Sequence, residues 1–425
     1  MNALLSMTTL LLSVGTAVGQ QIWKVSCLGG PGIDFTDLPP AVAAAAPGDT
    51  IWVFSTPAGC PSSQPFYTAP TIDKPLNILG FNIFSTPPPP GSFPTNAGLL
   101  GVLTITGIAA GDRVVISSIS TGPLASLAPP SLSGLHVSDC SGEVVLEDFG
   151  HGALGQINES MEIHNCANVT FHGGEIAYGG ASLNIVNSTV RMSSFYISSV
   201  QPWIVNGYTM TTPAVTLTNS TLTVTNSLLE GGDEYLFVGG FRPAVIMTNS
   251  TMYLGPGANL IGGRNMGTHF PTTAYTSQGT APNYVYRDPR TVVAIPGNPG
   301  NVVTIPQDIP ATYNDFAVAN DFTTVTFAGP SDGFALLLLG DLPLQPTPTP
   351  FGSLLIDPST VDLIDIVALP GGSLMGFTTK DYFVPAAALN AHPYALQALT
   401  LSPTGALGLT LATPFCVGWE HGRLP

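Results

Sequence analysis

Two groups of side chains in this 425-residue sequence have the types and spacing to do chemistry. Glu147, Asp148, His151, Glu159, Glu162, His164, His172 and Glu175 crowd into one short stretch. Imidazoles beside carboxylates suit a divalent metal or a sugar-binding surface, and Glu147, His151 and His172 are the metal candidates. Further on, Glu230, Asp233 and Glu234 precede Arg242. Carboxylates that hold Ca²⁺ near a basic group are what proton abstraction from an acidic sugar needs, so these four are the catalytic candidates. Trp203, Tyr208 and Tyr235, with Phe237 and Phe241 nearby, offer rings that stack on sugar faces. Each group also has a plainer reading: solvated outward positions, surface-loop charges, and rings that anchor loops or fill a core.

Composition narrows the partners. The formal net charge of −16 arises from scarcity of basic residues, and charged residues make up only 8% of the chain. The lysines are Lys24, Lys74 and Lys380 alone. Nothing here can replace counterions along a phosphate backbone, which excludes nucleic acid as a partner. Residues 1–19 read as a secretory signal, with Leu10, Leu11, Leu12 and Val14 followed by Ala17, Val18 and Gly19. No Lys or Arg precedes that apolar run, and the run is too short to span a bilayer. The expected mature protein is secreted, extracellular or at the cell surface, with no transmembrane segment. Five cysteines occur, at positions 27, 60, 140, 166 and 416, without a CxxC pair. In an oxidising compartment Cys27 with Cys60 is the expected disulfide, which leaves at least one thiol free.

The elements that must position these residues are short strands. FTDLPPAVAAAAPGDTIWV (35–53) reads as an amphipathic helix turning through Gly48-Asp49 into a strand. Further strands follow at 71–80 and 103–106, then at 114–117, 135–138 and 144–147, with no helices between them, which excludes a doubly wound sheet. The decisive signal is repetition: NCANVTF (165–171), VNSTVRM (186–192), TNSTLTV (218–224) and TNSTMYL (248–254) are versions of one unit. Aligned on Val169, Val190, Leu222 and Met252, they are separated by 21, 32 and 30 residues, which are coil lengths of a β-solenoid. Stacking then predicts one interior column through those four residues and another through Phe171, Met192, Val224 and Leu254. It also makes Glu147 and His172 vertical neighbours. Asn187, Asn219 and Asn249 fall at one corner, where Asn tolerates the left-handed conformation and its amides bond along the stack. These three satisfy N-x-S/T, as do Asn158 and Asn168, but periodic placement already accounts for them.

The run at 35–53, followed by TIDKPLNILG (71–80), resembles the opening of right-handed parallel β-helix proteins of the pectate-lyase-like superfamily, over roughly residues 33 to 265. That resemblance implies the fold and little about activity. Gly150-His151-Gly152 is similar to a motif of polygalacturonases, which share the fold. Their Asn-Thr-Asp, paired Asp and Arg-Ile-Lys companions are missing, and a hydrolase needs two carboxylates across the scissile bond. The expected fold class is therefore all-β: a right-handed parallel β-helix with a short N-terminal capping helix, followed by a small C-terminal antiparallel β-domain. The expected limits are 20–265 for the helix with its cap, 266–315 for a Pro/Gly-rich connector, and 316–425 for a β-domain that also covers the last coil. FGSLLIDP with ALQALTLSPTGALGLT is similar to C-terminal modules of other exported bacterial proteins, and no activity travels with that likeness.

The function expected from these residues is that of an exported, non-catalytic surface or matrix component that binds polysaccharide or a cell-surface glycan. One rival is a polysaccharide lyase or epimerase acting on acidic glycans with Ca²⁺ through Glu230, Asp233, Glu234 and Arg242. Another is a metal-handling accessory protein resting on His151, His164 and His172.

Overall fold

The computed structural model describes residues 21–415 apart from 55–65, 82–96, 122–133, 153–159, 178–181, 200–203, 206–207, 210–211, 233–241, 264–272, 295–299, 308, 315–320, 342–346, 372–375, 385–393 and 411–412. The signal segment, Cys60, Asn158 and Cys416 lie outside the described residues.

Residues from Ile22 to Pro306 build a parallel β-helix with three faces. A typical coil runs Leu183–Val186 on the first face, Thr189–Ser193 on the second and Tyr196–Ser198 on the third. Each strand pairs in parallel with its counterpart one coil away, as Thr189–Ser193 does with Asn168–Ala177 below and Thr221–Thr225 above. Alternation along the second-face strands decides what goes inside. Val114, Val144, Val169, Val190, Leu222, Met252 and Val285 stand in register, and every one of them is fully buried. The parallel column Ile116, Leu146, Phe171, Met192, Val224 and Leu254 is also buried. Both predicted columns are therefore present, because one coil cannot bury its apolar residues unless its neighbours cover them.

The corners are set by left-handed residues. Asp139, Asn165, Asn187, Asn219 and Asn249 all have φ between 48° and 55°. Their side chains form an unbroken ladder: Asn249 donates to Asn219 (2.9 Å), Asn219 to Asn187 (3.2 Å), Asn187 to Asn165 (3.1 Å) and Asn165 to Asp139 (2.9 Å). Asn168 serves elsewhere, with its amide held between Glu143 (3.0 Å) and Arg191 (2.7 Å). A second row of left-handed corners, Ser118, Asp148, Ser194 and Asn226, separates the second face from the third. Asn226 donates to Ser194 and Ser118 to Asp148, both at 3.0 Å.

The N-terminal helix, Leu38–Ala44, starts at Asp37, whose carboxylate accepts from the Leu38 amide, and buries Leu38, Ala41 and Val42 against the first coils. Asp49 then accepts from Gln21 N, Trp23 Nε1 and Ala46 N, which ties the helix exit to a strand that the sequence reading missed, Ile22–Val25. That strand pairs with Thr50–Phe54.

One expectation about the C-terminal half needs correction. The segment 266–315 is not an irregular connector, since Tyr275–Ser277, Asn283–Arg287 and Val292–Ala294 form another coil and Val302–Pro306 begins one more. Tyr275 and Val285 are buried in the same core as the earlier coils, so the solenoid runs about forty residues past 265. Sparse alternation in Pro- and Gly-rich sequence concealed it. The C-terminal domain is antiparallel, as expected, with one sheet of Ala311–Asn314, Asp321–Gly329 and Gly376–Val384. A second sheet is centred on Phe334–Asp341, flanked by Asp362–Ala368 and Tyr394–Leu401. Val325 and Phe327 of the first sheet share a core with Leu337, Val367 and Leu396 of the second. Ile356 and Ala395 of this domain pack on Val115 and Val145, outward residues on the flank of the solenoid.

Candidate functional site

Glu230 ends the third-face strand Leu228–Glu230, in register with Ser198 one coil below. Its carboxylate accepts from Ser198 Oγ (3.3 Å) and Tyr196 Oη (3.4 Å). Glu175 sits one coil further down, paired with Tyr196. Burial pushes both Glu175 and Tyr196 up from their ordinary values, and the charges of Glu230 and Glu175 add to the effect on the phenol. The outer third face thus presents a row of carboxylates and hydroxyls, Glu175, Tyr196, Ser198 and Glu230. Sequence reading found Glu230 but not its partners Tyr196 and Ser198. The signal was available, since both lie at the outward positions of a coil whose inner residue is Ile197.

The residues flanking three segments between coils meet beside this row, joined as necks by hydrogen bonds. Thr212 O accepts from Ser199 Oγ (2.9 Å) and from Gly232 N (3.0 Å). Gly232 O then accepts from Arg242 N, and Arg242 O from Gly263 N. Gly231 is required here, because a Cβ on it would lie 2.3 Å from Arg242 O. Arg242 is thereby brought to the neck beside Glu230, with its side chain exposed. Asp233 and Glu234 lie outside the described residues, as do Trp203 and Tyr235. Tyr208 belongs to the strand Tyr208–Thr209, which pairs with Ile204–Val205 in the first of the three segments. Of the predicted catalytic residues, Glu230 and the Arg242 backbone therefore come together at one edge of the third face.

The metal candidates separate. Glu147 and His172 are vertical neighbours, as expected, and both are fully buried at the last position of the second-face strands. His151 instead occupies the interior column of Ile176 and Ile197, bonded through Nδ1 to Thr121 Oγ1 at 2.9 Å. An inward histidine cannot join an outward ligand set, so the notion of one polar face carrying Glu147, His151 and His172 is corrected. His164 lies on the first face, 3.5 Å from Glu162. Among the described residues, no three His, Cys, Asp or Glu side chains are grouped to hold a metal ion. Of the cysteines, Cys27 is disulfide-bonded, with Cys60 outside the described residues.

Burial holds His172 neutral, with its pKa pushed down to about 4. The sign follows from linkage: the neutral form is favoured in the folded state, so this contribution is complete above the unfolded value near 6.5 and is lost as pH falls from there toward 4. The loss amounts to roughly 3 kcal/mol. Thermal melts from pH 7 to pH 4 should show a steeper decline for the native protein than for His172→Gln. Equal slopes would show that His172 ionises freely in the fold.

Compared with known proteins, the chain matches no family model and no curated sequence. No helix among the described residues is long and apolar enough to cross a membrane.

Proposed function

We propose that this is an exported β-helix protein of pectate-lyase-like architecture, non-catalytic, which binds polysaccharide along its third face. The observation that carries this reading is the tied stack of three loop necks beside Glu175, Tyr196, Ser198 and Glu230. Carboxylates and hydroxyls spaced along parallel strands offer hydrogen bonds to successive sugar units. Trp203, Tyr208 and Tyr235 are the rings we propose for sugar faces. The acidic balance of the chain, −16, repels polyuronates, so a neutral polymer is the favoured ligand.

Pull-down on a panel of neutral and acidic polysaccharides tests this. Retention on a neutral polymer is expected, weakened about tenfold, or about 1.4 kcal/mol, by Tyr196→Phe combined with Glu230→Gln. Retention on none would remove the binding role. The lyase or epimerase alternative rests on Arg242 lying beside Glu230. Unsaturated uronate released from alginate, pectate or chondroitin, and abolished by Arg242→Ala, would replace the non-catalytic reading with that one.

A further inference from the structure

Behind the corner ladder, one polar column runs through the interior. Cys140, Cys166, Ser188, Ser220 and Ser250 each follow a left-handed Asp or Asn, and all are buried. The serines work alike: each hydroxyl donates to the carbonyl two residues back at 2.7 Å, and accepts from the backbone amide one coil below at 2.9–3.1 Å. Asn283 takes over that acceptor role for Ser250 N at 2.8 Å. The two cysteines copy the donor half, with Cys140 Sγ reaching Ser138 O at 3.2 Å and Cys166 Sγ reaching His164 O at 3.1 Å. Sulfur is a poor acceptor, so a thiol is a weaker substitute in this column. Yet cysteine occupies two consecutive coils and no other position of the column.

Cys140 and Cys166 are direct neighbours in the stack. Their flanking strands pair residue for residue from Gly134↔Ser160 to Ser138↔His164, and Ala167 N donates to Cys140 O at 2.8 Å. Neighbours on adjacent parallel strands lie ~4.8 Å apart, inside the Cα window of ~4.4–6.8 Å that a disulfide accepts. Both side chains point to the same side and carry free thiols. Hydrogen bonding between them lowers the Cys140 thiol to about 7 and raises that of Cys166. We propose that Cys140 and Cys166 close into a disulfide when the protein folds in an oxidising compartment, clipping two consecutive coils together from within. The proposal rests on the exported reading for its setting in the cell.

Closure needs an external disulfide as oxidant. One cysteine thiolate attacks it and expels a thiolate, forming a mixed disulfide. The second cysteine then gives up its proton and displaces the remaining half. The two cysteines lose two electrons and two protons, and the oxidant becomes two thiols. The site is sealed in the finished solenoid, so the step belongs to folding.

The test refolds the full chain in a mixture of reduced and oxidised glutathione, blocks remaining thiols with N-ethylmaleimide in denaturant, and maps the peptides without reduction. A Cys140–Cys166 linked peptide is the expected result. Alkylation of both residues, or linkage of either to another cysteine, would overturn the proposal. Because refolding is done in vitro, a failure here is independent of whether the chain is exported. The variant Cys140→Ser with Cys166→Ser installs the residue that the column uses elsewhere and should fold. Its melting temperature should lie below that of the oxidised native protein, and reductant should bring the two together. Identical melting in oxidised buffer would show that the pair is only apolar filling.

Discussion

Leu222→Asp should abolish the cooperative fold of the solenoid instead of loosening one coil. Leu222 is fully buried between Val190 and Met252 in the central column. A carboxylate there has no partner, and burying it costs about 5 kcal/mol or more. That is comparable with the whole stability of a domain, about 5–15 kcal/mol. Neighbouring coils cannot survive alone, since each relies on the next to cover its apolar face. Circular dichroism should show no cooperative thermal transition. Thr223→Asp, on the next and outward position of the same strand, should change stability by no more than about 0.5 kcal/mol. If both variants melt alike, the assignment of inside and outside is wrong.

Glu143→Ala should destabilise the junction between solenoid and C-terminal domain by about 3–5 kcal/mol. Glu143 is buried and accepts from Arg113 Nε at 3.0 Å and from Asn168 at 3.0 Å, and Asn168 in turn holds Arg191. Burial pushes the Glu143 carboxyl up against the pull of both guanidinium groups, which marks how little water reaches it. Removing the carboxylate breaks the buried pair with Arg113, two residues from the Val115 and Val145 contact with Ile356 and Ala395. Urea denaturation of the variant should show the loss, and Arg113→Ala combined with Glu143→Ala should cost less than the two single changes added together. Strict additivity would mean that the two do not act as a pair.

How far the fold was legible depended on how strictly each part repeats. The NST units fixed three Asn corners and two interior columns, because an apolar residue at every second position has only one way to face a neighbour. The ladder reached further than those units predicted, to Asn165 and Asp139, since Asp can replace Asn at a left-handed corner. The second corner row escaped notice because Ser118, Asp148, Ser194 and Asn226 share a backbone conformation but mix three residue types. His151 was misplaced for a related reason: it stands where other coils carry Ile176 and Ile197, and its polarity suggested an outward position. Its Nδ1 bonds to Thr121 of the coil below, which no single-coil pattern reveals. The site itself was half legible. Glu230 and Arg242 stood out as charges in a sparsely charged chain, whereas Tyr196 and Ser198 became visible only once the coils were stacked.

The central claim is that these coils stand in register along one axis. Thr104 and Thr276 lie six coils apart on a first-face column that passes through His136, Glu162, Asn184, Thr216 and Ile246. Six steps at ~4.8 Å place the two threonines about 29 Å apart. Spin labels on cysteines introduced at these positions, in a background lacking Cys140, Cys166 and Cys416, would report that separation by pulsed electron resonance. A single narrow distribution near 30 Å is the predicted result, and a broad one centred well beyond 45 Å would contradict the stacked architecture.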